Sequence, residues 1–411
     1  MKVWRYVGLA ALAALICGST WAQPAEEAAL RAQLARIETL RGERPKDDLL
    51  VFYRAMTQTQ LGAREAALAD LRSLVGRHRG LIPAPGAGFE RLWEDEAFQS
   101  LRAQLSAEEP KTQPDAAVLA RLTGKSLVPE GIAYDPKTRR LFVGSIHRRK
   151  IVTLDARGRQ EDWSRAEDRL DGILGLCVDV PRRLLWAVST NGSDDEAEKA
   201  RRNALIAWDI KTRRVVHRVE LPQAQHLNDL TIAVDGTVYA SDSFGSTIWV
   251  LSPGAANAVA LGKPGELRGA NGLALGPKGE LYVAISTGIA RVEIASGAWQ
   301  RLAQPDEWVT GGIDGLYYHR GALIGVQNGP NPGRVLRLEL SADGRSMTAL
   351  DVLQSHHHPE FDEPTTGAIV GEHLIVIANS HIARRRPDGS IAGADRLRAP
   401  VLIKVPLAAR H

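Results

Sequence analysis

The fold of this chain is decided by the stretch Asn271-Gly-Leu-Ala-Leu-Gly-Pro-Lys-Gly-Glu-Leu-Tyr-Val-Ala284. It begins with a polar residue and a glycine, followed by a short apolar run. A turn rich in glycine and proline comes next, and a second apolar run ends the stretch. This pattern is typical of two short strands joined by a tight turn.

The same pattern occurs six times, and its leading residues are separated by 44, 54, 43, 43 and 52 positions. Repeats of roughly 40–50 residues with several strands each are the signature of a β-propeller. One repeat cannot bury both faces of its sheet alone, so repeats stack around an axis. We therefore predict an all-β, six-bladed β-propeller over residues 119–407. The leading pairs are Glu130-Gly131, Leu174-Gly175, Asn228-Asp229, Asn271-Gly272, Asp314-Gly315 and Thr366-Gly367.

A closed ring of blades usually ties the two ends of the chain into one blade, which removes a free sheet edge. The apolar stretch 119–128 and the terminal stretch 402–405 are the segments predicted to pair.

The first 22 residues have the pattern of a signal peptide. Lys2 and Arg5 form a basic start, an apolar core follows, and Thr20-Trp21-Ala22 fits a small-x-small cleavage site. We predict export to the periplasm or the medium, with no membrane anchor left after cleavage. The alternative is a short membrane anchor. Removal of residues 1–22 leaves Cys177 as the single cysteine, which excludes an internal disulfide.

Residues 25–106 have a different composition, rich in Ala, Leu, Arg and Glu with apolar residues at helical spacing. They predict a small α-helical domain before the propeller, joined to it by a linker at 107–118. Gly62 marks a bend between two helices, and this part resembles a single tetratricopeptide-type helix pair. One interpretation is a helical cap packed on the propeller, and the other is a docking surface for a protein partner.

The charge pattern argues against a nucleic-acid partner. The chain has 52 Lys and Arg against 48 Asp and Glu, a net charge of +4, and the basic residues are scattered. The exception is Arg384-Arg385-Arg386, which has no stacking aromatics beside it and is interpreted as a solvated turn.

Four of the six leading residues carry side-chain oxygen acceptors: Glu130, Asn228, Asn271 and Asp314. Equivalent positions of the blades lie at one height around the central channel, so we expect these oxygens to converge. The alternative is turn preference, since Asn-Gly and Asp-Gly are common hairpin turns. Turns also occur between the two strands of a repeat, at Asp135-Pro136, Asp235-Gly236 and Lys278-Gly279. The turn requirement is met there, so the occurrence of four acceptors at the same repeat position favours a site.

This donor set predicts a divalent metal ion. Two carboxylates and two amides are hard oxygen ligands, which suit Ca²⁺ best, with Zn²⁺, Mn²⁺ and Mg²⁺ as alternatives. Two carboxylates in a narrow channel also need a compensating charge. Ca²⁺ takes roughly six to eight oxygens, so four protein ligands leave room for water and a substrate oxygen.

The motifs Pro129-Glu-Gly-Ile-Ala-Tyr-Asp135, Asn228-Asp229, Asn271-Gly272-Leu273 and Asp314-Gly315-Leu316 resemble the senescence-marker-protein/gluconolactonase family, which includes regucalcin. The resemblance covers about residues 119–407. It implies a six-bladed propeller with a divalent metal at the channel mouth on Glu130, Asn228, Asn271 and Asp314. Paraoxonases and strictosidine-synthase-like propellers share much of this pattern.

The sequence departs from the family where substrate is held. Family lactonases often carry Arg two residues before the first Asn, and this chain has His226 there. His226 is interpreted either as a proton shuttle or as a hydrogen-bonded residue of the rim. Further rim candidates are Asp171, Asp229, His147 and Glu363.

Two classes of function follow. The first is an exported, metal-dependent hydrolase of a small-molecule lactone or ester, in which Asp314 is the base on water and His226 assists. The second is a non-catalytic binding or scaffold protein with a structural ion. An open ion site would favour the enzyme, and an ion sealed under the helical cap would favour the scaffold.

Overall fold

The structure is a computed structural model that describes residues 24–85, 87–108, 116–191, 202–329, 333–386 and 389–408. The predicted signal peptide and its cleavage site lie outside the described residues, as does most of the predicted linker. Within the described part of the chain, no helix is both long and apolar enough to cross a membrane.

The N-terminal part is helical, as its composition predicts, and its helices extend from Pro24 to Glu108. Its four α-helices are α1 (Pro24–Glu43), α2 (Asp48–Gln60), α3 (Arg64–Leu74) and α4 (Glu96–Glu108). Helices α2 and α3 pack against each other through Leu50, Leu68 and Leu71, which are buried. Gly62 forms the turn between them with a φ of 78°, a left-handed conformation that favours glycine.

The rest of the described chain forms six four-stranded antiparallel sheets, which confirms the predicted six-bladed β-propeller. Each of blades 1–5 uses four consecutive strands, counted outward from the axis. Blade 1 contains β2 (Pro129–Asp135), β3 (Arg140–Ser145), β4 (Lys150–Leu154) and β5 (Gln160–Asp162). Blade 2 contains β6 (Gly172–Asp179), β7 (Leu184–Thr190), β8 (Asn203–Asp209) and β9 (Arg214–Glu220). Blade 3 contains β10 (Leu227–Ile232), β11 (Val238–Asp242), β12 (Thr247–Leu251) and β13 (Val259–Leu261).

Blades 4 and 5 have the same organisation. Blade 4 contains β14 (Leu273–Leu275), β15 (Leu281–Ile285), β16 (Gly288–Val292) and β17 (Trp299–Arg301). Blade 5 contains β18 (Ile313–His319), β19 (Ala322–Gln327), β20 (Arg334–Leu340) and β21 (Met347–Ser355).

Blade 6 joins the two ends of the propeller. It consists of β22 (Gly367–Val370), β23 (His373–Ile377), β24 (Val401–Pro406) and, outermost, β1 (Ala117–Arg121). Strand β1 pairs antiparallel with β24, for example Val118 with Ile403. The first and last strands therefore share one blade, as the ring-closure argument predicts. The pairing completes the fourth strand of blade 6.

Neighbouring blades are held together by apolar side chains. Between blades 1 and 2, Trp163 lies edge-on to Phe142 at 5.1 Å and to Trp208 at 5.8 Å, and all three are buried. Comparable apolar clusters fill the other spaces between sheets. Burial of this kind, at roughly 25 cal/mol per Å² of apolar surface, stabilises the ring.

The helical part docks on the propeller at blades 4 and 5. Val309 belongs to the same apolar core as α2, Leu49 packs against the backbone at Gly311, and Asp47 lies 3.9 Å from Arg301. In an antiparallel blade, the start of the first strand and the connection between the second and third strands lie at the same edge. The contact of Gly311 with residues 286–287 therefore places the helical part on the face that carries the leading residues.

Candidate functional site

The six leading pairs form one ring around the channel. Their backbones approach so closely that a Cβ atom at Gly131 would overlap the carbonyl of Leu174, and one at Gly175 would lie 2.6 Å from the Cα of Asp229. Thr366 closes the ring, because its hydroxyl donates to the carbonyl oxygen of Glu130. Repeat positions that are far apart in sequence are thus neighbours in space.

The direction of the leading side chains is set by β-bulges between the first and second strands of the blades. In four blades the register between the first and second strands shifts at the leading pair, for example between Pro129 and Ile132 and between Ile313 and Leu316. Such a bulge bends the strand and re-aims a side chain. It explains how a residue at the edge of a strand comes to serve the central channel.

Asp314 is fixed by two amides. Asn271 donates from Nδ2 to Oδ1 of Asp314 at 2.8 Å, and Asn328 donates from Nδ2 to Oδ2 at 2.6 Å. Only 6 % of Asp314 is exposed. Burial raises the pKa of Asp314 to about 6, although both amide hydrogen bonds work to lower it. The carboxyl group is therefore held in a fixed position, and its pKa is raised in the direction that suits a general base.

Glu130 lies in the same ring and is 3 % exposed. Burial, and then the negative charges of Asp314 and Asp229, raise its pKa well above the usual range. Its Oε2 is buried without a hydrogen-bond partner among the described residues, and so is Oδ1 of Asn271. Buried polar atoms are normally satisfied, so two such oxygens in one ring indicate a missing partner.

Asn228 is the fourth predicted ligand. It is partly exposed, and its Nδ2 donates to the hydroxyl of Ser243 at 3.0 Å. Blade 3 is joined to blade 4 beside it, because the backbone N–H of Leu273 donates to Oδ2 of Asp229 at 3.4 Å. The described contacts thus place Asn228 in the ring with Asn271 and Asp314.

His226 lies just outside the ring. Its imidazole stacks on the ring of Phe244, with centroids 4.7 Å apart, and its backbone N–H donates to Asp242 at 2.8 Å. This packing holds the imidazole at a defined place two residues before Asn228. Its role as a proton shuttle stays a prediction.

The further rim candidates differ in character. Asp171 is ion-paired with Arg202 at 2.7 Å, which gives it a structural partner. Burial raises the pKa of Glu363 to about 7, and burial together with Arg148 lowers the pKa of His147. Asp229 is the most informative of them, since it is buried at the position where the other five leading pairs have glycine. Burial raises its pKa to about 7, opposed by hydrogen bonds from the backbone of Leu230 and Leu273.

A cavity of about 90 Å³ lies in the channel beside the ring. Its lining residues include Asp229 and Tyr317, which are polar, and Leu176, Leu230 and Cys177. Burial raises the pKa of the Cys177 thiol to about 12, so this cysteine is protonated and a poor nucleophile.

The residues of the ring fit a hard divalent cation. Among the described residues, no three His, Cys, Asp or Glu side chains are grouped so that they could hold an ion by themselves. A cation here would therefore need the amide oxygens as well as the carboxylates. The unpartnered oxygens of Glu130 and Asn271 and the raised pKa values of the carboxyl groups are what a cation would relieve.

Sequence reasoning did not identify Asn328 and Ser243, which touch Asp314 and Asn228. Asn328 directly follows Gln327, the last residue of β19, and Ser243 directly follows Asp242, the last residue of β11. Both strands are the second strand of their blade. This shared position is the signal that could have found them.

No protein-family model matches the chain, and no curated protein matches it in sequence. Several solved structures are similar in fold. A putative oxidoreductase (glucose dehydrogenase) from Thermus thermophilus is 18% identical, with a TM-score of 0.50 over 71% of this chain and 99% of that one. The PQQ-bound aldose sugar dehydrogenase of Streptomyces coelicolor is 18% identical, with a TM-score of 0.49 over 71% of this chain and 98% of that one.

A gluconolactonase from Xanthomonas campestris is 17% identical, with a TM-score of 0.48 over 71% of this chain and 90% of that one. The chain is a six-bladed β-propeller whose structural neighbours thus include gluconolactonases and sugar dehydrogenases. At 18% identity the likeness to the Thermus thermophilus structure concerns the fold alone, and the function has to be argued from the site.

Proposed function

We propose that this protein is an exported hydrolase of lactones or related esters that depends on a divalent cation, most suitably Ca²⁺. The observation that carries the proposal is the pair of unpartnered buried oxygens, Glu130 Oε2 and Asn271 Oδ1, in one ring with the fixed carboxyl group of Asp314. The resemblance of the leading motifs to the gluconolactonase family supports it.

The cation would be held by oxygens of Glu130, Asn228, Asn271 and Asp314. When bound, it would polarise a substrate carbonyl and stabilise negative charge on that oxygen. The two partly exposed residues, Asn228 and Asn271, mark the side from which substrate would approach.

Asp314 has the base role in this proposal. Its carboxylate removes a proton from water as the water oxygen adds to the substrate carbonyl carbon. The C–O bond of the lactone or ester then breaks, and the proton passes to the departing oxygen. Asn271 and Asn328 orient the carboxylate during both transfers, because each holds one of its oxygens. His226, two residues before Asn228, is the proposed assistant in proton transfer.

A non-catalytic binding or scaffold protein is the second candidate, and the docking of the helical part favours it. Leu49 and Val309 place the helices on the same face as the ring, beside the blades that carry Asn271 and Asp314. In this alternative, the ion is structural and the helical part and channel face hold a protein partner.

The test is a panel of lactones and aryl esters, assayed with saturating Ca²⁺ and with a chelator. We expect hydrolysis that needs the cation. Asp314→Asn should lower kcat by about 10²–10⁴, the usual cost of removing a general base. Asn271→Asp should bind Ca²⁺ more tightly through its added charge and hydrolyse more slowly through reduced Lewis acidity.

Asp351→Asn is a matched control, because Asp351 lies on the outermost strand of the same blade. It should behave as wild type. Full activity of Asp314→Asn would remove the proposed base. A wild-type protein that binds Ca²⁺ but hydrolyses nothing in the panel would favour the binding protein.

A further inference from the structure

Ser243 makes two hydrogen bonds at the inner end of blade 3. Its hydroxyl accepts from Nδ2 of Asn228 at 3.0 Å and donates to the carbonyl oxygen of Ala270 at 2.6 Å. Asn228 leads blade 3, and Ala270 directly precedes Asn271, which leads blade 4. One side chain therefore joins a leading residue to the backbone just before the next one.

Asn328 makes the same kind of bridge in blade 5. Its Nδ2 donates to Oδ2 of Asp314 at 2.6 Å and to the carbonyl oxygen of Pro364 at 2.9 Å. Asp314 leads blade 5, and Pro364 lies two residues before Thr366, which leads blade 6. The amide has two N–H groups, so both bonds form together.

The two bridges share one position in the repeat. Ser243 directly follows β11, and Asn328 directly follows β19, the second strands of their blades. Ser286 occupies this position in blade 4, but its hydroxyl donates to the carbonyl of Arg268 at 3.2 Å. The position in the repeat is therefore not sufficient to form the bridge. Ser243 and Asn328 differ from Ser286 because each bonds both a leading side chain and the backbone before the next leading residue.

The bridge from Asn328 also extends to the backbone of Glu130, the residue that carries the second carboxyl group of the ring. The hydroxyls of Thr365 and Thr366, immediately after Pro364, both donate to the carbonyl oxygen of Glu130. The segment 364–366 is thus tied to Asp314 at one end and to Glu130 at the other. This arrangement therefore connects the carboxyl group of Asp314 to the backbone that carries Glu130, and the two carboxyl groups repel each other when both are ionised.

We infer that Ser243 and Asn328 are positioning residues, which hold Asn228, Asp314 and Glu130 in the geometry that binds the cation. The inference rests on the proposed function, since it concerns the same site. Loss of a side chain that orients metal ligands typically costs 10–100-fold in metal affinity or activity.

The experiment measures Ca²⁺ affinity by calorimetry, and kcat and KM on any hydrolysed lactone, for Ser243→Ala, Asn328→Ala and the control Ser286→Ala. We expect about 10–100-fold weaker Ca²⁺ binding in the first two and wild-type binding in the control. At saturating Ca²⁺, kcat should fall while KM stays the same. Melting temperatures of the ion-free proteins should differ little among the three variants.

Conservative variants separate positioning from general stability. Ser243→Thr keeps the hydroxyl and should restore most of the Ca²⁺ affinity lost in Ser243→Ala. Asn328→Leu has nearly the shape of Asn328 but cannot donate and adds no charge, so it should lose as much affinity as Asn328→Ala, and it serves if the alanine variant fails to fold.

Wild-type Ca²⁺ affinity in both alanine variants would overturn the inference while leaving the proposed function intact. A wild-type protein that binds none of Ca²⁺, Mg²⁺, Mn²⁺ or Zn²⁺ would refute the proposed metal site, and the inference with it.

Discussion

Replacing Asp229 with asparagine should stabilise the ion-free protein, and the gain should depend on pH. Burial raises the pKa of Asp229 from 3.8 to about 7, with the charge of Asp314 adding to the effect. A carboxyl group whose pKa is raised on folding contributes stability that is complete below about pH 4. That stability is lost as the pH rises from about 4 to 7, because the unfolded chain then ionises this carboxyl group while the folded protein still holds the proton.

The size of the effect follows from the shift. About three pKa units at 1.36 kcal/mol each give on the order of 4 kcal/mol at pH 8. The amide keeps the hydrogen bond from Leu230 but loses the one from Leu273 at 3.4 Å, a cost of about 1 kcal/mol. The remaining gain of about 3 kcal/mol corresponds to roughly 6–12 °C in melting temperature.

The assay is thermal unfolding followed by circular dichroism in a chelator, at pH 4.5 and pH 8. Asp229→Asn should melt well above wild type at pH 8 and close to it at pH 4.5. Asp135→Asn is the control of opposite sign, because hydrogen bonds from Arg183 at 2.6 Å, from Thr138 and from the backbone of Lys137 together outweigh burial and lower the pKa of Asp135 to about 2. It should melt below wild type at both pH values. A loss of stability in Asp229→Asn at pH 8 would refute the account of this carboxyl group.

Three further predictions concern the ion, the rim and the helical part. Ca²⁺ at about 100 times its Kd should raise the melting temperature by roughly 5–10 °C at pH 8. The rise should be smaller at pH 5, because protons on Asp314 and Glu130 compete with the ion. An equal rise at both pH values would contradict this. His226→Ala should lower kcat by less than Asp314→Asn does if the imidazole moves protons, and an unchanged pH–rate profile would assign it to the rim. Leu49→Ala should destabilise the docked helical part by about 2–5 kcal/mol, measured by limited proteolysis and thermal unfolding, and wild-type behaviour would mean that this contact is not needed.

The fold was accessible from the sequence because a propeller repeats a local pattern. Each copy of the Asn271–Ala284 pattern predicts two strands and a turn. The near-regular spacing of the copies predicts that they are arranged around an axis. The closure of the ring by β1 and β24 followed from the need to pair a sheet edge.

The details of the site depend on register, which a single sequence does not reveal. Ser243 and Asn328 are ordinary loop residues until the pairing of β11 with β10 and of β19 with β18 places them beside the leading residues. Asp229 had a sequence signal, the absence of the glycine found in the other leading pairs. The raised pKa of its carboxyl group depends on burial, which only the assembled ring creates.

The central claim is that the ring binds one divalent cation through Glu130, Asn228, Asn271 and Asp314. Anomalous diffraction from crystals soaked in Mn²⁺ tests it most directly. The account predicts one strong peak on the channel axis, with oxygens of these four side chains about 2.0–2.6 Å away, the range for hard divalent ions. An empty ring, or a peak elsewhere, for example at His356 and His357, would contradict it.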